Sequence, residues 1–387
     1  MNRGTMANGW LEKARSLAPI VEQCRDEGDR ERRLPRPIFD AACAAGFQRM
    51  LLPRALGGGQ ADLEEALTVG EEFARQDGST GWNLTFAMIS PLFSDYLPEA
   101  AARAIFERGD AVIAGSFAPR GRARRVDGGF ELSGGWSFVS GCQNANLIIV
   151  GGVVFDGEQP ELGLDGAPVR QIFVFPAAEG TISDTWRTVG MRATGSHDYA
   201  VSGVFVPAER SFAYQDFFRG PAPRPGLGYP RPFMEMGPLH LAAIGLGVAR
   251  DAIESFTALA ATKTPLLATS RLADQPIVHD RVGRAEALLC AARSYLFATA
   301  REIVSASEDT PPMVLHCRLA AAHAAESAIE VVNAVYHAAG GTSIFESSRL
   351  SRCFRDINTL THHALIAPNA FATAGEWLLQ REERAHA

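Results

Sequence analysis

The 387-residue chain is almost without lysine: Lys13 and Lys263 are the only two, so arginine carries nearly all of its positive charge. No block of basic residues stands out, and the formal net charge is −7. Neither nucleic acid nor an anionic membrane is therefore an expected partner. No run approaches the roughly 18–20 apolar residues of a membrane span, and the N-terminal stretch reads as polar helix rather than as a secretory signal. The six cysteines (Cys24, Cys43, Cys142, Cys290, Cys317 and Cys353) are scattered, with no CxxC pair. That spacing excludes a recognisable zinc site or disulfide framework and fits reduced thiols in a cytoplasmic protein. Internal repeats, low-complexity stretches and a glycine-rich turn opening a βαβ unit are also missing, so no nicotinamide-binding unit is expected in this chain.

What is present is a globular mix, 47% apolar and 21% charged, with length for two or three domains around a large core. Residues 1–113 read as mostly helical. Leu11, Ala14, Leu17, Ala18 and Val21 recur at helical spacing. Pro35 and Pro37 open a second helix that stops at Gly46, and a longer one runs from Glu64 to Arg75. An apolar helix through Ile89 follows, with Ser79 or Thr80 as its expected cap. Trp82, Asn83 and Phe86 fall in this helix and are candidate pocket walls.

Residues 114–212 change to alternating and β-branched runs (Phe130–Leu132, Leu147–Phe155, Gln171–Phe175, Asp198–Val206) between Gly- and Pro-rich turns. The reading is an antiparallel β-domain. Residues 213–238 form a connector rich in proline, glycine and aromatics, including Phe217, Phe218, Tyr229 and Phe233. The remainder, to 387, is helical again: one helix opens around Gly245, three more are expected at Val278–Ser305, Pro312–Ala339 and Cys353–Leu365, and another follows Pro368.

One short stretch stands at the centre of this organisation, Gly134-Gly135-Trp136-Ser137-Phe138-Val139-Ser140-Gly141. As a strand it puts Trp136, Phe138 and Ser140 on one face, two rings and a hydroxyl suited to a flat ligand.

The helical–β–helical order and a set of short words then make a family resemblance. The words are Leu52-Pro53 with Gly57-Gly58, Asp77 to Trp82, Gly134 to Gly141, Val189 to Ser196, Val204 to Pro207, Gly340-Gly341 and Arg355-Asp356. In this order the chain resembles the acyl-CoA dehydrogenase superfamily over nearly its whole length, and within it the two-component flavin monooxygenases. The resemblance implies an α+β, mostly α, fold: an N-terminal helical domain, a central β-barrel-like domain and a C-terminal four-helix bundle. It also implies a flavin between β-domain and bundle, with Ser140 at flavin N5, Phe138 and Val139 along the ring, and Gly340-Gly341 near the cofactor. Arg271, just before the helix at Pro276-Ile277, is a separate candidate for a flavin phosphate contact. FAD and FMN both stay open, because His337 stands where dinucleotide-binding members carry Gln. A homotetramer is implied as well.

The decisive departure is an acid that is missing. Dehydrogenases of the superfamily place a catalytic glutamate eight residues after the Asp of the Arg-Asp pair; here that position is Ala364, inside His362-His363-Ala364-Leu365. Glu235, Asp251 and Glu254 are the carboxylates near the alternative position. Removing an α-proton from a thioester needs a positioned base. The monooxygenase branch carries a His seven residues after that Asp, which here is His363. An imidazole can take a phenolic or amine proton and return it. On one helix His362 and His363 are about 100° apart, so one of them faces the site. The expected function is the oxygenase component of a flavin-dependent monooxygenase: a separate NAD(P)H:flavin reductase supplies reduced flavin, O2 adds at C4a, and a small aromatic substrate is oxygenated. The alternative is an FAD-dependent acyl-CoA dehydrogenase or oxygenase acting on a CoA thioester.

Overall fold

Proline, glycine and aspartate set most boundaries of the first helices. The computed structural model describes residues 7–222, 226, 228, 231–305 and 313–385. The first amphipathic run is two helices, α1 (Ala7–Ser16) and α2 (Ala18–Glu31), because Pro19 opens the second one at its N-terminus. Next, α3 (Arg36–Ala45) ends on Gly46 at φ 89°, the left-handed cap that glycine adopts without a Cβ clash. Asp62 and Asp77 cap α4 (Leu63–Gln76) and α5 (Gly78–Ile89). The expected Ser79 or Thr80 cap is corrected: both lie inside the first turn of α5, and the Thr80 N–H donates to Asp77 Oδ2 at 2.9 Å. A shorter helix, α6 (Glu99–Phe106), leads into the sheet.

The sheet contains β1 (Ile113–Val126), β2 (Gly129–Val139), β3 (Leu147–Asp156), β4 (Gln159–Pro160), β5 (Arg170–Pro176), β6 (Thr181–Ser183), β7 (His197–Pro207) and β8 (Ser211–Ala213). Its order is β6-β7-β2-β1-β3-β5-β8, with β4 on β3. One pair departs from the antiparallel expectation: β1 and β3 are parallel. The reason is the path of the chain. After the β1–β2 hairpin the chain has returned to the starting end of β1, so β3, on the other flank of β1, runs in the same direction. Phe130, Leu132, Trp136, Val150, Phe173 and Tyr199 fill an apolar core belonging to the sheet itself.

The C-terminal part is α7 (Asp216–Arg219), α8 (Phe233–Ala260), α9 (Pro276–Ser305), α10 (Met313–Ala338), α11 (Arg349–Leu360) and α12 (Asn369–Ala385). The helix expected from Gly245 begins twelve residues earlier. It runs through Pro238, where one backbone donor is forfeited; its start is fixed by Tyr96 Oη, which accepts the Phe233 N–H at 2.9 Å, and by the rings of Phe93, Phe117 and Phe217 packed around Phe233. Tyr229 of the connector and Pro312 lie outside the described residues. Burial extends along nearly all of α8. Its Gly247 faces α4 so closely that a Cβ there would stand 2.2 Å from the Glu71 carbonyl oxygen. A last correction concerns α11, which stops at Leu360 rather than continuing to Leu365; His362 and His363 stand in the turn beyond it. Among the described residues no helix is long and apolar enough to cross a membrane.

Candidate active site

The end of β2 is where the strand reading fails and the site begins. Pairing between β2 and β7 slips between Trp136 and Val139, and Phe138 adopts φ 65°, a left-handed conformation that costs a bulky residue energy and occurs where surrounding structure imposes it. The slip breaks the alternation. Trp136 is buried in the sheet core, its Nε1–H donating to the Gly151 carbonyl at 2.8 Å. Phe138 is 68% exposed, its ring edge-on to Trp186 at 6.0 Å. Trp136, Phe138 and Ser140 therefore do not form one stripe. Val139 is fully buried in the sheet core, so its side chain does not line a ring at the surface and only its backbone is on hand.

Beyond the slip three hydroxyls stand in a row. Ser140 Oγ lies 2.7 Å from Ser196 Oγ, Ser196 Oγ lies 2.7 Å from Thr194 Oγ1, and Thr194 Oγ1 donates to the Met191 carbonyl at 2.8 Å. The segment bearing Thr194 and Ser196 is held from both sides. The Gly141 N–H donates to the Thr194 carbonyl at 2.9 Å, and Asp356 Oδ1 of α11 accepts the Met191 N–H at 2.6 Å. Gly190 makes this approach possible, since a Cβ there would sit 2.0 Å from the Arg355 carbonyl. Burial, and after it the neighbouring Asp77 carboxylate, push the Asp356 carboxyl up to about 7.

Helix α5 connects this row to a group of rings. Asn83 donates from Nδ2 to the carbonyls of Ser79 at 3.1 Å and Ala193 at 3.0 Å. Asn83, Phe86, Ser140 and Gly141 share one narrow cleft. Trp82 packs against Phe86 at 5.0 Å and edge-on to His363 at 5.6 Å between ring centroids. The Trp82 Nε1–H is buried without a hydrogen-bond partner among the described residues; leaving such a donor unpaired is costly, and a ligand atom would relieve the cost.

His363 is tuned by its surroundings. Burial lowers its pKa to about 4, so the ring is neutral at physiological pH. Its Nδ1 accepts the Leu365 N–H at 3.3 Å, which leaves the ring proton on Nε2. What the imidazole offers a ligand is thus an N–H donor. The lone pair expected to take a substrate proton is engaged by the backbone. His362 does not join it: the ring is exposed and its Nδ1–H turns back onto the Asn358 carbonyl at 2.7 Å.

Carboxylates that a dehydrogenase would need are otherwise engaged. Glu235 pairs with Arg231 at 2.9 Å, Asp251 with Arg349 at 2.7 Å and Glu254 with Arg75 at 2.8 Å. Phe217 and Phe233, aromatics of the stretch read as a connector, are buried in an aromatic cluster. Arg271 is not among the rings; it is exposed, pairs with Asp274 at 2.9 Å and donates to the Ala261 carbonyl at 3.2 Å. Lys263 nearby donates to the Ala339 carbonyl at 2.5 Å and to Thr342 Oγ1 at 2.6 Å. Arg271, Lys263 and Gly340-Gly341 thus make a second group, at the ends of α8 and α10. Among the described residues no cluster of metal-ligating side chains occurs.

The residues at the end of β2 fit a flavin. An exposed ring held in a strained backbone, a hydroxyl row and an orphaned indole N–H suit a flat heteroaromatic system with polar edges. In the word Val189 to Ser196 neither Thr194 nor Ser196 carries a role that the sequence alone assigns, and nothing in the sequence marks Trp186. The available signal was two hydroxyl residues bracketing Gly195, which is too common to stand out alone.

Family models match at both ends of the chain: "Acyl-CoA dehydrogenase, N-terminal domain" over residues 12–102 and "Acyl-CoA dehydrogenase, C-terminal domain" over 239–368. The chain is 32% identical to indole-3-acetate monooxygenase of Pseudomonas putida, covering 90% of this chain and 88% of that protein. It is 27% identical to the flavin-dependent monooxygenase oxygenase subunit HsaA of Rhodococcus jostii, covering 92% and 94%. Among solved structures it superposes on XiaF from Streptomyces sp. in complex with FADH2 and glycerol with a TM-score of 0.87 at 25% identity, covering 96% and 94%.

Proposed function

The chain belongs to the acyl-CoA dehydrogenase family, in its flavin-dependent monooxygenase branch, and from that premise we propose how its residues serve an oxygenase component. The protein is a flavin-dependent oxidoreductase that uses reduced flavin and O2 to oxygenate a small aromatic substrate. Reduced flavin, when bound, supplies the electrons that activate O2. Ser140 and the exposed Phe138 hold its ring at the end of β2, the hydroxyl serving the ring edge. Trp82, Asn83 and Phe86 of α5 bind the substrate; the ring trio Trp82, Phe86 and His363 is the observation that carries an aromatic substrate. Stacked and edge-on ring contacts favour a planar guest, and the relatives' names point to phenol- or indole-type compounds.

His363 works as a donor rather than as the base first expected. Its Nε2–H holds an oxygen of the substrate or of activated O2, and its neutrality keeps it from delivering a proton prematurely. Water exclusion by the rings limits unproductive loss of peroxide. Arg271 and Lys263, with Gly340-Gly341 beside them, serve a flavin phosphate. FAD and FMN both suit that group.

A separate NAD(P)H:flavin reductase delivers the reduced flavin through transient encounters, and the oxygenase assembles as a homotetramer. Exposed Ile344 (66%) and Phe345 (63%) next to Gly340-Gly341 support a subunit contact there. Six free thiols support the cytoplasm.

The test is to mix protein with anaerobically reduced FAD or FMN, then with O2 and indole-3-acetate or a set of phenols. Oxygenated product is expected. Hydrogen peroxide formed in full stoichiometry with flavin for every aromatic tried would reject the reading.

A further inference from the structure

The hydroxyl row has a direction. A carbonyl oxygen only accepts, whereas a hydroxyl has one proton to give and lone pairs to receive. Thr194 Oγ1 stands 2.8 Å from the Met191 carbonyl, so the Thr194 proton is committed there. At the 2.7 Å contact with Ser196, Thr194 can then only accept, and Ser196 gives its single proton. At the next 2.7 Å contact Ser196 in turn can only accept, and the Ser140 proton is used. What Ser140 Oγ has left for anything beyond the row is a lone pair.

The start of the row cannot readily reverse. The Met191 carbonyl also accepts the Trp186 Nε1–H at 2.9 Å. The same residue's N–H is held by the buried Asp356 at 2.6 Å, and the Trp186 N–H is held by His197 Nδ1 at 3.2 Å. Met191 itself sits at φ 51°. The N–H and the carbonyl of Met191, the residue that orients the row, are therefore both held from outside it, by Asp356 and by the Trp186 indole.

We propose that Thr194 and Ser196 are positioning residues that polarise Ser140 into an acceptor-only contact, so that the site selects reduced over oxidised flavin. This rests on the reading that Ser140 meets the flavin at N5. Reduced flavin carries a hydrogen on N5 and is matched by a lone pair. Oxidised flavin presents a lone pair at N5, and two acceptors then face each other. A buried polar atom left without a partner is penalised far more than a formed bond is rewarded. The expected discrimination is roughly tenfold to a hundredfold in affinity. For a two-electron couple this raises the potential of bound flavin by about 30 to 60 mV relative to free flavin. The consequence for the reaction cycle is directional: the oxygenase captures flavin in the reduced form and lets it go once oxidised, without a conformational switch.

The experiment measures dissociation constants of FAD and FMN, each oxidised and each reduced under anaerobic dithionite, for the full-length protein and its variants. In the wild type the reduced form binds roughly tenfold to a hundredfold tighter. Ser140→Ala is expected to weaken reduced flavin without weakening oxidised flavin. Thr194→Val and Ser196→Ala free the Ser140 proton to serve either form; they are expected to collapse the ratio by strengthening oxidised flavin while reduced binding stays near wild type. Thr194→Ser keeps the donor and should keep the wild-type ratio. If Ser140→Ala weakens reduced flavin but both Thr194→Val and Ser196→Ala keep the wild-type ratio, the row has no polarising role and the proposal is overturned, while Ser140 remains at N5. If Ser140→Ala changes neither affinity, the placement of Ser140 at N5 fails first. Should Thr194→Val not fold, Ser196→Ala alone decides between these outcomes.

Discussion

Asp356 Oδ1, at the heart of α11, accepts the backbone N–H of Met191 at 2.6 Å and so ties the C-terminal helices to the segment that bears Thr194 and Ser196. The carboxylate is buried beside Asp77, and Arg352 reaches Asp77 at 3.7 Å and Asp26 at 2.6 Å. This arrangement explains why an Arg-Asp pair persists in a chain that has no catalytic acid eight residues further on. Its task is to hold a loop.

Removing that tie is expected to be severe. Asp356→Ala strands the buried Met191 N–H, a loss of roughly 1–3 kcal/mol; Asp356→Asn keeps an acceptor and costs less. The pH response has a definite sign. The Asp356 carboxyl is raised to about 7 in the folded protein, above the ordinary value of about 3.9. Its proton therefore contributes stability that is complete below the unfolded value and lost as pH rises through 7. Urea denaturation across this window should show that component in the wild type and not in Asp356→Asn. An identical pH slope in the two proteins would contradict the assignment.

For His363 a donor and a base predict opposite rescues. His363→Ala should lower product formed per reduced flavin by roughly tenfold to a hundredfold, the scale of losing one aimed donor, with hydrogen peroxide rising to match. His363→Gln, which still presents an N–H, should recover part of the coupling, and His363→Glu should not. Because burial holds the ring pKa near 4, coupling should stay level as pH falls through 6.5. A break near 6.5, or rescue by Glu, would restore the base.

Trp82 separates binding from folding. Its Nε1–H has no partner among the described residues, so Trp82→Phe breaks no hydrogen bond seen in the fold. Denaturant midpoints should stay close to wild type while affinity for flavin or aromatic substrate falls by roughly five- to tenfold, one neutral hydrogen bond's worth. Unchanged affinity for both ligands would show that the indole proton serves neither.

Two glycines are expected to respond in opposite directions. A Cβ at Gly247 would meet the Glu71 carbonyl at 2.2 Å, and backbone does not yield as a side chain does, so Gly247→Ala should cost roughly 1–3 kcal/mol. At Gly375, in α12, nothing lies within 4 Å, and Gly375→Ala should gain about 0.5–1 kcal/mol by lowering the entropy of the unfolded chain. Equal effects in chemical denaturation would mean that α4 and α8 can separate at little cost.

Local chemistry made much of this fold legible. Pro35, Gly46 and the β-branched runs announced where helices and strands begin or stop, because propensity and capping act within a few residues. The missing carboxylate at Ala364 was equally plain, since counting residues needs no structure, and with the ordered words it pointed to oxygenation rather than thioester oxidation.

Long-range packing decided the rest. Phe138 leaves its strand because β2 and β7 slip against each other, and a register slip belongs to two strands rather than to one sequence. The turn that ends α11 gives His363 a backbone donor at Nδ1 and so chooses its tautomer, which periodicity cannot see. Ser140, Ser196 and Thr194 acquire a shared direction only after a loop and a strand end meet, because a hydroxyl has no preferred donor role until its neighbours assign one.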